Sequence, residues 1–89
     1  MNILYINCCI RDKESRTNYI ASNFIKKLLN KYNNAKLTEI KLYKINLSPL
    51  LYSDIKFRDE LISKNDFNND YFKLANQFNN ADKIIIAAP

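Results

Sequence analysis

The segment from Asn7 to Asn18, NCCIRDKESRTN, concentrates the side chains of this 89-residue sequence that could bind an anion. A helical pattern begins at Ser15, and a helix N-terminus presents unpaired N–H groups and about half a positive charge, which together favour phosphate. Ser15 and Thr17 add hydroxyl donors, while Arg16 and Arg11 add guanidinium groups. The segment therefore predicts a phosphate site. The alternative is that Ser15 is only a helix cap, which is a common role for serine.

Composition excludes several other kinds of chemistry. The sequence contains no histidine, which removes histidine-based triads, HExxH zinc sites and zinc fingers. It contains no glycine either, so a GxGxxG dinucleotide loop and a Walker-type phosphate loop are absent. The two cysteines, Cys8 and Cys9, are adjacent, and neighbouring residues rarely meet disulfide geometry. We predict that they are packing or loop residues, and that the chain has no metal site and no catalytic side chain.

The elements that must position this segment follow from the hydrophobic pattern. An apolar run at Ile3–Ile6 predicts a strand buried on both faces. After Ser15, apolar residues recur at helical spacing and predict one broad core-facing stripe. We expect this helix to end around residues 32–34, where an asparagine can adopt the left-handed cap conformation. The stripe comprises Ile20, Ala21, Phe24, Ile25, Leu28 and Leu29.

The rest of the chain continues the alternation of strands and helices. The charged, alternating segment Lys36–Tyr43 predicts an edge strand, and the last residues, Lys83–Ala88, predict a second buried strand. Between them we expect a loop at residues 45–53 packed by leucines, a short helix at residues 54–63, and a further helix capped by an asparagine. The loop leucines are Leu47, Leu50 and Leu51. The capping residue is Asn68 or Asn69. The apolar face of the last helix comprises Tyr71, Phe72, Leu74, Ala75 and Phe78.

This order predicts a single α/β domain over residues 1–89, with three parallel strands and crossover helices. In such sheets ligands bind outside the carboxyl ends of the strands, where the segment after Ile6 must lie. The last strand is very apolar, and an apolar strand at an exposed sheet edge is prone to aggregation. We therefore expect the chain to be a fragment of a longer polypeptide, or another chain to cover this edge.

The charge of +5 comes from 14 basic and 9 acidic residues, and the lysines are scattered. Solvated faces explain them; the alternative, a nucleic-acid surface, lacks a recognition motif. No apolar run approaches the roughly 20 residues that span a bilayer, and no basic leader precedes the first strand. We expect a cytoplasmic protein without a membrane or nucleic-acid partner.

Two motifs resemble the flavodoxin-like NAD(P)H dehydrogenase (quinone) and FMN-dependent azoreductase family. Ser15-Arg16-Thr17 matches the Ser-x-Ser/Thr sequence that opens the family's first helix, and Cys9 falls where the family often places a serine against the FMN phosphate. The final ADKIIIAAP resembles the family's third strand, whose proline leads into the loop around the flavin ring. The middle of the chain, with Leu47, Pro49, Leu50 and Arg58, resembles a clostridial-type branch more weakly.

The resemblance implies a flavodoxin-like three-layer sandwich, truncated, that binds FMN and uses NAD(P)H to reduce a quinone or azo compound. It assigns the FMN phosphate to Ser15, Arg16 and Thr17, a lesser contact to Cys9 because a thiol is a poor donor, and the start of the ring loop to Pro89. The family continues beyond this proline and dimerises. We therefore expect the N-terminal half of such an enzyme, with little or no turnover by itself. The alternative is a non-catalytic flavodoxin-like module that binds a phosphorylated ligand or a partner.

Overall fold

Strands and helices alternate along the chain, as the hydrophobic pattern predicts. The computed structural model describes residues 1–45 and 48–89. Short 3-10 turns lie at Asp12–Glu14, Leu42–Lys44 and Asp70–Phe72. The main elements are β1 (Asn2–Asn7), α1 (Arg16–Lys31), β2 (Lys36–Lys41), α2 (Tyr52–Ser63), α3 (Lys73–Asn79) and β3 (Lys83–Ala87).

The three strands form one parallel sheet in the order β2-β1-β3. β1 is central, since it pairs with both other strands, and its residues Ile3, Leu4 and Tyr5 are all buried. In the register, Tyr5 lies opposite Glu39 of β2 and Ile85 of β3. β2 lies at an edge, as its charged residues predict. This arrangement confirms the predicted parallel sheet with crossover connections.

β3 forms the other edge of the sheet. Within the described residues it pairs only with β1, and its side chains Ile84 and Ile86 are exposed, the second by 61%. The buried-strand pattern of its sequence is therefore only half satisfied, because Ala87 is buried while the two isoleucines face solvent. An unpaired apolar edge of this kind is a pairing surface for another strand.

The core of the sheet domain is smaller than the predicted stripe on α1. Ile25 is buried against Tyr5, Cys9 and Ala87, and Ala21 and Leu29 pack on this cluster. The expectation for two other stripe residues is wrong: Ile20 and Phe24 are 68% and 53% exposed. At 3.6 residues per turn these two lie about 140° and 100° around the helix from Ile25, outside the arc that a flat sheet can cover.

The left-handed backbone positions also differ from expectation. α1 ends at Lys31 and its C-cap, Tyr32, lies within the predicted range, but the asparagines that follow are not left-handed. Among the described residues, the positive φ angles occur at Asp12 (53°) and Asn65 (56°). Asn65 follows Lys64, the C-cap of α2, so an asparagine does supply a left-handed cap, but to a different helix.

The chain divides into two compact units, Met1–Asn46 with Asn80–Pro89, and Leu47–Asn79. The second unit holds α2 and α3, and its aromatic rings pack edge-on or tilted with centroids 5.2–5.8 Å apart. The rings belong to Phe57, Phe67, Tyr71 and Phe72.

Local predictions in the second unit have mixed outcomes. The predicted helix at residues 54–63 is confirmed as α2, which begins two residues earlier. Asn69 is the predicted cap: its side chain accepts a hydrogen bond from the N–H of Tyr71 at 3.0 Å. The predicted packing of the loop leucines is wrong for Leu50 and Leu51, which are exposed, and Leu47 lies outside the described residues.

The predicted apolar face of the last helix is only partly buried. Tyr71 and Phe72, in the 3-10 turn, are half-buried, whereas Leu74, Ala75 and Phe78 of α3 are exposed. α3 is only seven residues long, so it can bury little surface. No helix among the described residues is long and apolar enough to cross a membrane.

Candidate phosphate-binding site

The loop that leaves β1 is held against β3 by backbone hydrogen bonds. The N–H of Cys8 donates to the carbonyl oxygen of Ala87 at 3.0 Å, which joins the carboxyl ends of the two strands. The N–H of Cys9 donates to the side-chain oxygen of Asn7 at 2.8 Å. Neither amide is therefore free for a ligand. Their role is to fix where the loop starts.

The loop then turns tightly into α1. The N–H of Asp12 donates to the carbonyl of Cys9 at 2.9 Å, and the N–H of Ser15 donates to the carbonyl of Asp12 at 3.0 Å. Asp12 has the left-handed φ of 53°, which aspartate tolerates better than most residues. The chain thus reaches Ser15 through a compact turn rather than an open loop.

Ser15 caps α1 at the carboxyl end of β1. Its backbone is extended (φ −78°, ψ 123°), and its buried Oγ accepts a hydrogen bond from the N–H of Asn18 at 3.2 Å. The N–H groups of Arg16 and Thr17 have no hydrogen-bond partner within residues 1–45 and 48–89. These two amides are the donors that a helix N-terminus offers to an anion. The structure therefore places the Ser15–Thr17 turn where the sequence predicts.

The structure separates the predicted site residues into two environments. Arg16 is exposed and forms no ion pair within the described part of the chain, and Thr17 beside it is half-buried. Cys9 lies instead in the core, with none of its surface exposed and its Sγ 3.7 Å from the carbonyl oxygen of Ala87. Pro89 follows β3 and is exposed. The contacts assigned to Cys9 and Pro89 stay predictions.

An open groove of about 380 Å³ lies on the outer side of the turn. Ser15 and Arg16 line it, but Thr17 does not, so the groove covers only part of the predicted site. Its other lining residues are Lys13, Glu14, Tyr19 and Ile20.

A polar network under the turn escaped the sequence analysis. The side-chain oxygen of Asn18 accepts hydrogen bonds from the Tyr5 hydroxyl at 2.7 Å and from the Asn7 amide at 3.4 Å. The Asn7 amide also donates to a carboxylate oxygen of Glu39 at 3.3 Å. The alternation of side chains along β1 could have indicated this network. It places Tyr5 and Asn7, which both have polar tips, on the same buried face of the strand as Ile3.

Burial, together with the nearby Cys9 and Glu39 groups, raises the pKa of the Tyr5 phenol to about 12. The hydroxyl is consequently a protonated donor throughout the physiological range. The raised pKa of Tyr5 stabilises the folded state fully below pH 10, the ordinary pKa of tyrosine. Between pH 10 and 12 this stabilisation is lost, because the phenol ionises at lower pH in the unfolded chain than in the folded one.

We expect the free energy of unfolding to fall by about 1.4 kcal/mol between pH 9 and 11 through Tyr5 alone. Urea unfolding at several pH values measures it, and Tyr5→Phe serves as the reference that lacks the phenol. The wild type should lose that much more stability over this range than the variant. Parallel pH profiles for the two proteins would contradict this prediction.

A comparison of the sequence with known families agrees with the sheet order. The family described as having a flavodoxin-like fold matches residues 1–89. The chain belongs to this family. The predicted fold class is thereby confirmed. The sheet of flavodoxin has the strand order 2-1-3-4-5, and its FMN binds at the point between β1 and β3 where the connections diverge. The order β2-β1-β3 is the first three strands of that arrangement.

Two clostridial proteins are similar to the chain. An FMN-dependent NADH:quinone oxidoreductase of Lachnoclostridium phytofermentans is 31% identical over 88 residues, and FMN-dependent NADH:quinone oxidoreductase 2 of Clostridium perfringens is 32% identical over the same length. Each alignment covers 98% of this chain but 44% of the relative, so the chain spans less than half the length of these proteins. No solved structure matches the chain significantly.

No cluster of three or more His, Cys, Asp or Glu side chains suitable for a metal ion occurs in the two described ranges. The donors of the candidate site are the backbone amides of Arg16 and Thr17, two hydroxyls and one guanidinium. This donor set suits a phosphate ester.

Proposed function

We propose that this chain supplies the phosphate end of the FMN site in an NAD(P)H-dependent FMN oxidoreductase that reduces quinones or azo compounds. One observation carries the proposal: the helix cap that follows the carboxyl end of β1, where Cys8 bonds to Ala87 of β3, presents two amides, Arg16 and Thr17, that are unpaired among the described residues. Family membership supports it, because flavodoxin holds its FMN at the point between β1 and β3 where the connections diverge. So do the relatives, whose names specify FMN, NADH and quinone.

Each residue of the turn has a distinct role in the proposed site. The N–H groups of Arg16 and Thr17 donate to phosphate oxygens, and the Thr17 hydroxyl adds a third donor. The exposed Arg16 guanidinium supplies the positive charge. Ser15 accepts from Asn18 through a lone pair, so its O–H hydrogen is still available to the phosphate. The Cys9 thiol contributes least, since it faces the Ala87 carbonyl.

Bound FMN would supply the chemistry, by accepting hydride from the nicotinamide and passing electrons to the acceptor. The chain's residues supply position and charge, so the proposed site requires no catalytic side chain. Pro89 begins the segment that leads to the flavin ring in this proposal. The proposal also includes a homodimer and a cytoplasmic location, both of which concern the whole protein. It leaves open whether NADH or NADPH donates the hydride.

The alternative is a non-catalytic flavodoxin-like module that binds a phosphorylated ligand. The observation that favours it is that the two amides of Arg16 and Thr17 are by themselves donors for a phosphorylated ligand and require no site for a flavin ring. Flavin absorbance of the purified protein separates the two functions, because only the first predicts a yellow protein. We expect little or no NADH oxidation by the 89-residue chain, so complete turnover would contradict the idea that it supplies the phosphate end alone.

A titration with FMN and riboflavin, which differ only in the phosphate, tests the proposed function. We expect the 89-residue chain to bind FMN at least about 10-fold more tightly than riboflavin, because one charge-assisted hydrogen bond contributes about 1.5–3 kcal/mol. Flavin fluorescence measures both affinities. Equal affinities, or no binding of FMN, would contradict the proposal.

A further inference from the structure

We propose that Asn18 is a positioning residue for the phosphate site, and that the Tyr5 hydroxyl of the buried strand β1 holds Asn18 in place. The inference rests on the proposed function and extends it to residues that do not touch the ligand. In this inference, Tyr5 and Asn18 fix the direction of the Arg16 and Thr17 N–H groups.

The contacts of Asn18 connect every part of the site's framework. Its backbone N–H donates to the Ser15 Oγ at 3.2 Å. Its side-chain oxygen accepts from the Tyr5 hydroxyl at 2.7 Å, and its side-chain amide donates to the Asp12 carbonyl at 3.4 Å. One side chain thus ties the first turn of α1 to the central strand and to the left-handed residue of the loop.

These contacts exceed what a helix cap requires. The cap is complete once the Ser15 Oγ accepts the backbone N–H of Asn18, and that bond would survive with any side chain at position 18. The side chain instead fixes the turn relative to the sheet. Tyr5 and Asn7, its donors on β1, are 2% and 1% exposed, so they form a rigid base.

A rigid base matters most for a ligand held by backbone amides. Arg16 and Thr17 cannot reorient their N–H groups independently of the helix, so the direction of the first turn decides whether both reach one phosphate. Holding that direction before binding reduces the ordering cost of binding. The benefit concerns the phosphate and not the flavin ring. Loss of the link should therefore lower the preference for FMN over riboflavin.

The experiment compares affinities for FMN and riboflavin in the wild type, Tyr5→Phe, Asn18→Ala and the double variant. We expect the ratio of the two affinities to fall about 5- to 10-fold in each single variant. The double variant should fall no further, because both substitutions remove the same link. Asn23→Ala is the matched control, since Asn23 is exposed on the same helix and makes no side-chain hydrogen bond in the described residues.

Inorganic phosphate provides a second measurement that does not need the flavin ring. In ¹⁵N-labelled protein, the phosphate concentration that half-shifts the Arg16 and Thr17 amide resonances should rise about 5- to 10-fold in Asn18→Ala.

Failure of the inference is distinct from failure of the proposed function. A wild type that prefers FMN, with variants that keep this ratio or weaken both flavins equally, would overturn the positioning role and leave the function intact. Additive losses in the double variant would also overturn the link between Tyr5 and Asn18. A wild type without any preference for FMN would overturn the proposed function, and the inference with it.

Discussion

Replacing Arg16 with proline will weaken FMN binding about 10- to 100-fold relative to Arg16→Ala. Both substitutions remove the guanidinium, but only proline also removes the backbone N–H. In the proposed site that N–H donates to the phosphate, and a charge-assisted hydrogen bond contributes about 1.5–3 kcal/mol. The comparison therefore isolates one amide hydrogen. Flavin fluorescence titration of the two variants measures the difference.

The fold tolerates this proline for identifiable reasons. Arg16 is the first residue of α1, the position at which proline is most favoured in helices. Its N–H has no partner among the described residues, so no helical hydrogen bond is lost. The preceding residue, Ser15, is already extended (φ −78°, ψ 123°), as a residue before proline prefers. Far-UV circular dichroism should be the same for the two variants.

Two results would contradict the proposed role of this amide. One is equal FMN affinity in Arg16→Pro and Arg16→Ala with intact folds. The other is an equal drop in riboflavin affinity, since riboflavin has no phosphate for the amide to bind.

Replacing Ile25 with alanine will lower the free energy of unfolding by about 2–5 kcal/mol, the range for a large apolar residue removed from a core. Ile25 is the residue of α1 that is buried against Tyr5, Cys9 and Ala87. A domain of this size has a total stability of only about 5–10 kcal/mol, so the loss is severe. Urea unfolding followed by circular dichroism measures it.

Ile20→Ala is the matched control, because it makes the same substitution on the same helix at a residue that is 68% exposed. We expect it to change stability by less than about 0.5 kcal/mol. A large loss in Ile20→Ala, or similar values for the two variants, would show that α1 packs through a different face.

The sequence was sufficient to predict the framework of the fold. The apolar runs around Ile3 and Ile85 predicted strands, although the second is buried only in part, and a serine before a periodic apolar segment predicted the start of a helix. The position of Ser15 after the first strand then placed the capped turn at the carboxyl edge of the sheet. These inferences succeed because each depends on local pattern and on the topology rules of parallel sheets.

What could not be predicted depends on tertiary contacts. Spacing alone assigned Ile20 and Phe24 to the core with Ile25, because an apolar stripe does not show how wide its partner surface is. The resemblance assigns Cys9 a lesser phosphate contact, but the sequence did not show that its Sγ lies 3.7 Å from the Ala87 carbonyl oxygen. These outcomes require knowing which elements lie against each other.

The side-chain hydrogen bonds of Asn18 to Tyr5 and Asp12 could not be predicted either, for a related reason. Its partners Tyr5 and Asp12 lie 13 and 6 residues earlier in the chain, and neither spacing corresponds to a local motif. The link exists only because α1 folds back over β1.

In the proposed site the Arg16 and Thr17 amides bind a phosphate, and the resonances of these two amides test this most directly. In ¹⁵N-labelled protein, addition of FMN should shift these two resonances more than any others in α1, while riboflavin at equal saturation should leave them nearly unchanged. FMN that binds without moving them, or riboflavin that moves them equally, would contradict the account.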